Sequence, residues 1–406
     1  MAVIQTKDGQ SPCPDSIAIV GGGRWARVLV EVLCGLVPST VAISLHSRHN
    51  TKAIAAWAND REWAKRIELS STWPQSFASG SSAAIVVNAA RDHEAAVEWA
   101  IRARLPVLVE KPIALTFAGA QRLAELARDQ DVRLAAAHVF LFAGYLENLS
   151  RLVADAGEVE SLEIDWTDPE GETRYGERKR YDSSLPVFAD WMPHVVSIAG
   201  ALLPTLPEYC KSLRVGRGGA ALDLELVAAD VPCTVRLERN ADRRRRVIRV
   251  RAGGADLHLD FSSEPGTITR GSSSFTGDRD WESGAHPVAR TLAAFLRWAA
   301  GGELDHRLDI GTGLRACRII DQVTGIYRLA VMAWLSSRLA TAVSVDNDLR
   351  YALSEFLQSE GPLSATELDC RINRLTARFA GPERVRLSDE LTRAKDPWGL
   401  LRSLSG

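Results

Sequence analysis

The chain has 406 residues, 46% of them hydrophobic and 25% charged, with a formal net charge of -2. That length exceeds one hydrophobic core and predicts two domains plus an appendage, while the near-neutral balance excludes bulk attraction to nucleic acid or to an acidic membrane. No apolar run approaches the roughly eighteen residues of a membrane span, and Met1–Pro14 lacks the apolar core of a signal peptide, so a cytoplasmic protein with a flexible N-terminus over residues 1–14 is expected.

The first element is a β-branched run, Ile17–Val20, ending in Gly21-Gly22-Gly23-Arg24-Trp25-Ala26. Val28–Leu36 then continues at helical spacing. Strand, Gly-x-Gly-x-x-Ala turn and helix in that order are the context of a dinucleotide-binding corner. Gly21 closes the turn, Gly23 lets backbone N–H groups approach a pyrophosphate, and Ala26 permits close helix–strand packing. The helix N-terminus adds partial positive charge for the phosphates.

Strand-like runs recur at Val41–Leu45, Ala83–Asn88, Pro106–Val109 and Arg133–His138, alternating with helical Thr51–Ala58, His93–Arg104 and Thr116–Asp129. Alternation with near-continuous apolar strands predicts a parallel sheet covered on both faces, an α/β Rossmann domain over residues 15–140. The second strand ends His46-Ser47-Arg48-His49, with Lys52 close by. No carboxylate stands where an NAD site would bind the ribose 2′-hydroxyl, and a hydroxyl followed by Arg48 suits a 2′-phosphate. NADP, as NADPH, is therefore favoured, with NAD as the alternative.

Beyond residue 155 the pattern becomes one of short strands with polar turns: Ser161–Trp166, Leu213–Val215, Ala221–Ala228, Cys233–Arg239, Arg244–Arg251 and Asp256–Phe261. One helix, Leu185–Leu202, interrupts them, and Pro287–Gly301 and Gly311–Arg338 are helical. An α+β domain with a mostly antiparallel open sheet is predicted over residues 141–340. Residues 341–406 read as a short helical C-terminal appendage, with Ser364-Ala365-Thr366-Glu367 as a capping box. The six cysteines, Cys13, Cys34, Cys210, Cys233, Cys317 and Cys370, show no paired spacing, so neither a metal site nor a disulfide scaffold is expected.

Three segments carry chemistry. Asn88-Ala89-Ala90-Arg91-Asp92-His93 follows one strand, Glu110-Lys111-Pro112 follows the next, and Asp190-Trp191-Met192-Pro193-His194 lies in the later helix. A lysine at the carboxyl end of a parallel strand faces the crevice where such sheets bind ligands, and can hold a proton or polarise a substrate oxygen. Asp190 and His194 share one helical face, and histidine titrates near neutrality. Pro193 suits a helix start, so a helix beginning near Trp191 with Asp190 as its N-cap is expected.

Together with the Gly-rich corner, Glu110-Lys111-Pro112 and Asp190…His194 resemble the glucose–fructose oxidoreductase/inositol dehydrogenase family, called Gfo/Idh/MocA, over residues 15 to 335. The resemblance implies Lys111, His194 and Asp190 as catalytic residues. It implies a cofactor site of Gly21, Gly23, Arg24, Trp25, Ala26, Ser47, Arg48, Asn88, His93, Glu110 and Lys111. Substrate contacts are expected from His138, Phe142, Trp166, Tyr181 and Trp191, with no metal. Ser183–Phe188 replaces the family's Gly-rich approach to the helix, and Leu141 stands where relatives carry an arginine, so the pocket is less polar than a simple polyol requires.

The loop Asp168–Asp182, with Arg174, Tyr175, Arg178, Lys179, Arg180 and Tyr181, reads as a solvated loop or a contact for an anionic substrate group. Arg243–Arg246 reads as an exposed turn and strand edge. The expected function is an NADP-dependent oxidoreductase moving hydride between nicotinamide and a carbonyl or hydroxyl carbon of a sugar-like substrate. A nucleotide-linked keto sugar of secondary metabolism is the first choice. A cyclic imine reductase and a catalytically silent NADP-binding regulator are the alternatives. The partners are a small-molecule substrate and, by the resemblance, a second or further copies as homodimer or homotetramer; no nucleic acid or membrane is expected.

Overall fold

A computed structural model describes residues 13–59, 61–73, 82–169, 172–174, 177–178, 185–216, 221–282, 284 and 286–341. These fall into two units, one within Met1–Arg151, Val196–Leu202 and Thr276–Arg318, the other within Leu152–Val195, Leu203–Phe275 and Ile319–Gly406. Most of the N-terminal segment, and the appendage with its capping box and Cys370, lie outside the described residues.

In chain order the first unit forms β1 (Ser16–Val20), α1 (Arg24–Leu36), β2 (Ala42–His46), α2 (Thr51–Asn59), β3 (Ile67–Ser70), β4 (Ser82–Val86), α3 (His93–Arg102), β5 (Val107–Val109), α4 (Phe117–Asp129) and β6 (Leu134–Ala136), leading into α5 (Gly144–Ala156). The sheet order is β3-β2-β1-β4-β5-β6, and every pair is parallel. This is the doubly wound order, with the reversal between β1 and β4. Period-two alternation sends Ile17, Ile19, Ile43, Leu45 and Ile85 into one core and Val20, Ala84, Val86, Val107 and Val109 into another. β3 was not expected: Ile67-Glu68-Leu69-Ser70 holds two apolar residues, both half-buried, at the sheet edge.

The rest of the chain forms β7 (Val159–Pro169), β8 (Thr173–Arg174), β9 (Glu177–Arg178), α6 (Val187–Leu202), β10 (Tyr209–Gly216), β11 (Ala221–Ala228), β12 (Val231–Ala241), β13 (Arg245–Ala252), β14 (Ala255–Asp260), β15 (Thr267–Arg270), β16 (Ser273–Thr276), α7 (Pro287–Ala299) and α8 (Ile310–Thr341). The large sheet runs β10-β11-β12-β7-β13-β14-β15-β16. It is mostly antiparallel, with β12 and β7 paired in parallel. α7 belongs to the first unit, where Leu292, Phe295 and Leu296 pack in the core that holds Ile17 and Leu33.

Two expectations need correction. Arg243–Arg246 leads into β13, which lies between β7 and β14 rather than at an edge, and Arg246 is only 2% exposed. Asp190 is not an N-cap. α6 starts at Val187, and the Asp190 N–H already donates to the Pro186 carbonyl at 3.2 Å. Pro193 therefore sits inside the helix, where it forgoes one backbone bond. No helix among the described residues is long and apolar enough to cross a membrane.

Candidate active site

The β1–α1 corner is shaped by its glycines. Gly21 has φ +151°, and a Cβ there would lie 2.6 Å from the Val87 carbonyl oxygen. Its N–H donates to the His46 carbonyl at 2.9 Å, which ties the turn to β2. A Cβ on Gly22 would press into the Ser47 side chain. Around Gly23 the situation is opposite: a Cβ would meet nothing within 4 Å. Gly23 is also the N-cap of α1, and no side chain caps that helix end. Ala26 is fully buried, while Arg24 opens the helix and is half-buried. The corner thus leaves room and uncapped N–H donors where an anionic pyrophosphate binds best.

Trp25 links this corner to the Glu110-Lys111-Pro112 element. Its indole N–H donates to Glu110 Oε1 at 2.7 Å, and the other carboxylate oxygen accepts from the Lys111 N–H at 2.8 Å. The Glu110 N–H extends the sheet by donating to Val86 O at 2.8 Å. His93 is buried, with Nδ1 2.7 Å from the Pro112 carbonyl and Nε2 3.2 Å from the Asn88 carbonyl. Its ring therefore fastens the turn after Lys111 to the end of β4. Asn88 donates from Nδ2 to the Asp92 carbonyl at 3.2 Å. Its Oδ1 is buried and accepts no hydrogen bond among the described residues. A buried acceptor of this kind is ordinarily met by a donor from protein, water or ligand.

At the end of β2, Ser47 Oγ accepts from the Asn50 N–H at 3.2 Å, and Asn50 Nδ2 donates to the Gly22 carbonyl at 3.1 Å. Arg48 is exposed, with its guanidinium 4.7 Å from the centre of the Trp73 ring. His138 and Phe142 are buried at 1% and 0% exposure. Phe142, expected to touch substrate, is a core residue covered by the Arg307 guanidinium at 4.2 Å.

In the second unit, α6 brings Asp190 to Arg239, which donates at 3.0 Å to its Oδ2 and at 3.0 Å to the Leu185 carbonyl. His194, one turn on, is half-buried and stacks on Trp166, with ring centres 5.4 Å apart and planes 17° apart. Arg246 stands directly across from Trp166 in the β13–β7 register and lays its guanidinium 4.1 Å from that ring. Arg246 also donates to the Thr167 and Arg245 carbonyls at 2.7 Å each and pairs with the fully buried Asp168. Trp191 is buried, and both arginines lie 5.7 Å from its ring. Tyr181, with Tyr175, Lys179 and Arg180, lies outside the described residues.

Arg239 was not singled out from sequence, and Arg246 and Asp168 were read only as parts of an exposed turn and of a loop, although a signal for burial exists. Val235, Leu237 and Arg239 alternate along the inward face of β12, as do Arg246, Ile248 and Val250 on β13, and Trp166 and Asp168 on β7. A charge in the apolar phase of a strand is a buried charge in search of a partner. Among the described residues no group of three or more His, Cys, Asp or Glu side chains is placed to hold a metal ion.

Residues 16–138 match the Gfo/Idh/MocA family model, described as an oxidoreductase family with an NAD-binding Rossmann fold. No curated protein sequence matches. Among solved structures, the chain is similar to UDP-N-acetylglucosamine 3-dehydrogenase GnnA from Acidithiobacillus ferrooxidans, at TM-score 0.61 and 18% identity over 79% of this chain and 98% of that one. It is similar to KijD10, a 3-ketoreductase from Actinomadura kijaniata in complex with TDP-benzene and NADP, at 0.60 and 18% over 76% and 96%. A third similar structure is biliverdin reductase from Synechocystis sp. PCC 6803 in complex with biliverdin and NADP+, at 0.58 and 18% over 80% and 99%. At these identities the likeness is one of fold.

Proposed function

We propose that this chain, whose residues 16–138 match the Gfo/Idh/MocA oxidoreductase family model, is an NADP-dependent enzyme of that family acting on a carbonyl or hydroxyl carbon of a nucleotide-linked keto sugar. The observation that carries this reading is the β1–α1 corner, where Gly21 has no room for a side chain and Gly23 faces open space. The buried, unpartnered Asn88 Oδ1 adds an acceptor beside it. Gly23, the first N–H groups of α1 and Asn88 would hold the dinucleotide, and Arg48 its 2′-phosphate. When bound, nicotinamide supplies or accepts the hydride.

The chain's own residues manage position and protons. Lys111 extends from a turn fixed by Glu110, Trp25 and His93, and polarises or protonates the reacting oxygen. His194 moves a proton, its ring orientation set by the stack on Trp166. Asp190 acts as a positioning group through Arg239. One of the similar structures is named as a UDP-N-acetylglucosamine 3-dehydrogenase and another as a 3-ketoreductase in complex with TDP-benzene and NADP, which supports this substrate class.

The test is a fluorescence titration with NADPH and NADH, followed by turnover assays with UDP- and TDP-linked 3-keto sugars and a cyclic imine. Tighter NADPH binding and keto-sugar turnover are expected, with Lys111→Ala and His194→Ala each lowering kcat about 100- to 10,000-fold. Equal affinities would remove the NADP preference, and turnover of the imine alone would remove the sugar. NADPH binding with no turnover of either would favour a regulator.

A further inference from the structure

Arg48 is the one arginine in the loop that follows β2, and an arginine on an exposed loop is ordinarily spread over many rotamers. Here its guanidinium lies 4.7 Å from the centre of the Trp73 ring, within cation–π range. Trp73 is itself backed by Trp99 of α3, with ring centres 5.4 Å apart. Three planar groups from three elements therefore form a run: the loop after β2, the segment after β3, and α3.

The segment carrying Trp73 is bolted to the end of β2. The Ser47 N–H donates to the Ser70 carbonyl at 2.9 Å. His46 Nδ1 lies 2.7 Å from the Thr72 carbonyl, and Ser70 Oγ donates to that same carbonyl at 2.9 Å. His46 Nε2 is held in turn by Ser44 Oγ at 2.8 Å. Residues 70 to 72 are thus fixed against His46 and Ser47, and the next residue, Trp73, arrives under the residue after Ser47. His46 is buried and Ser44 lies two residues away in β2, so this bolt is part of the sheet rather than of a surface loop.

We infer that Trp73 is a specificity-determining residue: it holds the Arg48 guanidinium in advance of binding, so that a ribose 2′-phosphate meets an ordered cation. The inference rests on the reading of Arg48 as the 2′-phosphate group's partner. Ordering a flexible side chain before the ligand arrives removes part of the entropy cost of binding. The benefit goes only to ligands carrying the 2′-phosphate, because a 2′-hydroxyl has no charge for the guanidinium to meet. A cation–π contact at an exposed site corresponds to about a two- to fivefold change in affinity.

The experiment measures dissociation constants of NADPH and NADH by fluorescence, and of 2′,5′-ADP and ADP by calorimetry. Trp73→Leu keeps apolar bulk against Trp99 and removes the ring, and Trp73→Phe keeps a ring face. Thermal unfolding of each variant checks that it folds. Trp73→Leu is expected to weaken NADPH and 2′,5′-ADP about two- to fivefold while NADH and ADP change less, with Trp73→Phe close to the parent. Added to Arg48→Ala, Trp73→Leu should change the NADPH/NADH ratio no further. If Arg48→Ala collapses that ratio but Trp73→Leu leaves it intact, or weakens all four ligands alike, the role given to Trp73 is overturned. If Arg48→Ala leaves the ratio unchanged, the NADP reading falls and this inference with it.

Discussion

Replacing Arg246 with Met tests whether the buried charges of the second unit depend on each other. Asp168 is 0% exposed and Arg246 2% exposed. The guanidinium also serves the Thr167 and Arg245 carbonyls at 2.7 Å each. Met preserves much of the stem but removes the guanidinium that pairs with the buried Asp168. Breaking a buried pair by removing one member costs about 3–5 kcal/mol, whereas an exposed pair contributes at most about 1 kcal/mol. Arg249–Glu163 supplies the comparison within the same β13–β7 pair: N and O are 3.5 Å apart, with side chains 49% and 57% exposed. Urea unfolding followed by tryptophan fluorescence is the assay, since the guanidinium stacks on Trp166. Arg246→Met should lower the midpoint strongly and Arg249→Met scarcely at all. The double variant Arg246→Met/Asp168→Leu should recover part of the loss, because no uncompensated charge remains. A loss below about 1 kcal/mol for Arg246→Met would refute the reasoning. So would a double variant as unstable as the two single changes summed.

Gly23→Ala should cost less than about 1 kcal/mol of stability, since its Cβ meets nothing within 4 Å. It should nevertheless weaken NADPH binding on the order of tenfold, measured by fluorescence titration, because that Cβ intrudes where phosphate approaches N–H groups. Burial pushes the His46 imidazole below its ordinary value of 6.5, against the Thr72 carbonyl and Glu68, and His258 shifts the same way through burial and Arg249. Below pH 6.5 the unfolded chain then binds protons that the fold does not, so stability is full above that pH and falls on acidification; urea midpoints from pH 7.5 to 5.0 should show this slope, reduced in His46→Gln. Phe295→Ala removes a fully buried ring of α7 and should cost about 3–5 kcal/mol, read from the unfolding of the first unit. Burial pushes the Cys233 thiol up to about 12 and the Cys210 thiol up to about 11, so a thiol reagent at pH 8 should leave Cys233 unmodified until denaturant is added.

What the sequence made legible was what short-range chemistry decides. Gly21 is required by a turn whose closing partners, His46 and Val87, stand at neighbouring strand ends, and the strand–turn–helix order already locates them. β1, β4, β5 and β6 announce themselves because both faces are buried, giving near-continuous apolar runs, and β2 does so through Ile43 and Leu45 on its buried face. β3 escapes because only two of its four residues are apolar and none is fully buried. The membership of α7 was illegible for a different reason: an amphipathic helix states that it has an apolar stripe but not which core receives it. Leu292 and Phe295 fit the core around Ile17, more than 250 residues away in sequence. Asp190 was misjudged because Pro193 was weighted as a helix-start signal. The bond from the Asp190 N–H to the Pro186 carbonyl shows the helix already under way before that proline.

The acidic partners of Arg239 and Arg246 explain why such costly groups persist on the inner face of the second sheet. A buried ion pair is weak evidence for stability, since an apolar replacement often does as well. It does impose geometry: charge-assisted bonds tolerate little displacement, and an unmet charge in a low dielectric is penalised. Arg246 cannot leave Asp168 and the two carbonyls, so Trp166 keeps a fixed cation on its ring, and the stacked His194 inherits a fixed wall. Arg239 does the same for Asp190 at the other end of that helical turn, anchored to the Leu185 carbonyl. The carboxylate oxygen that accepts from Arg239 would surrender a charge-assisted bond on taking a proton.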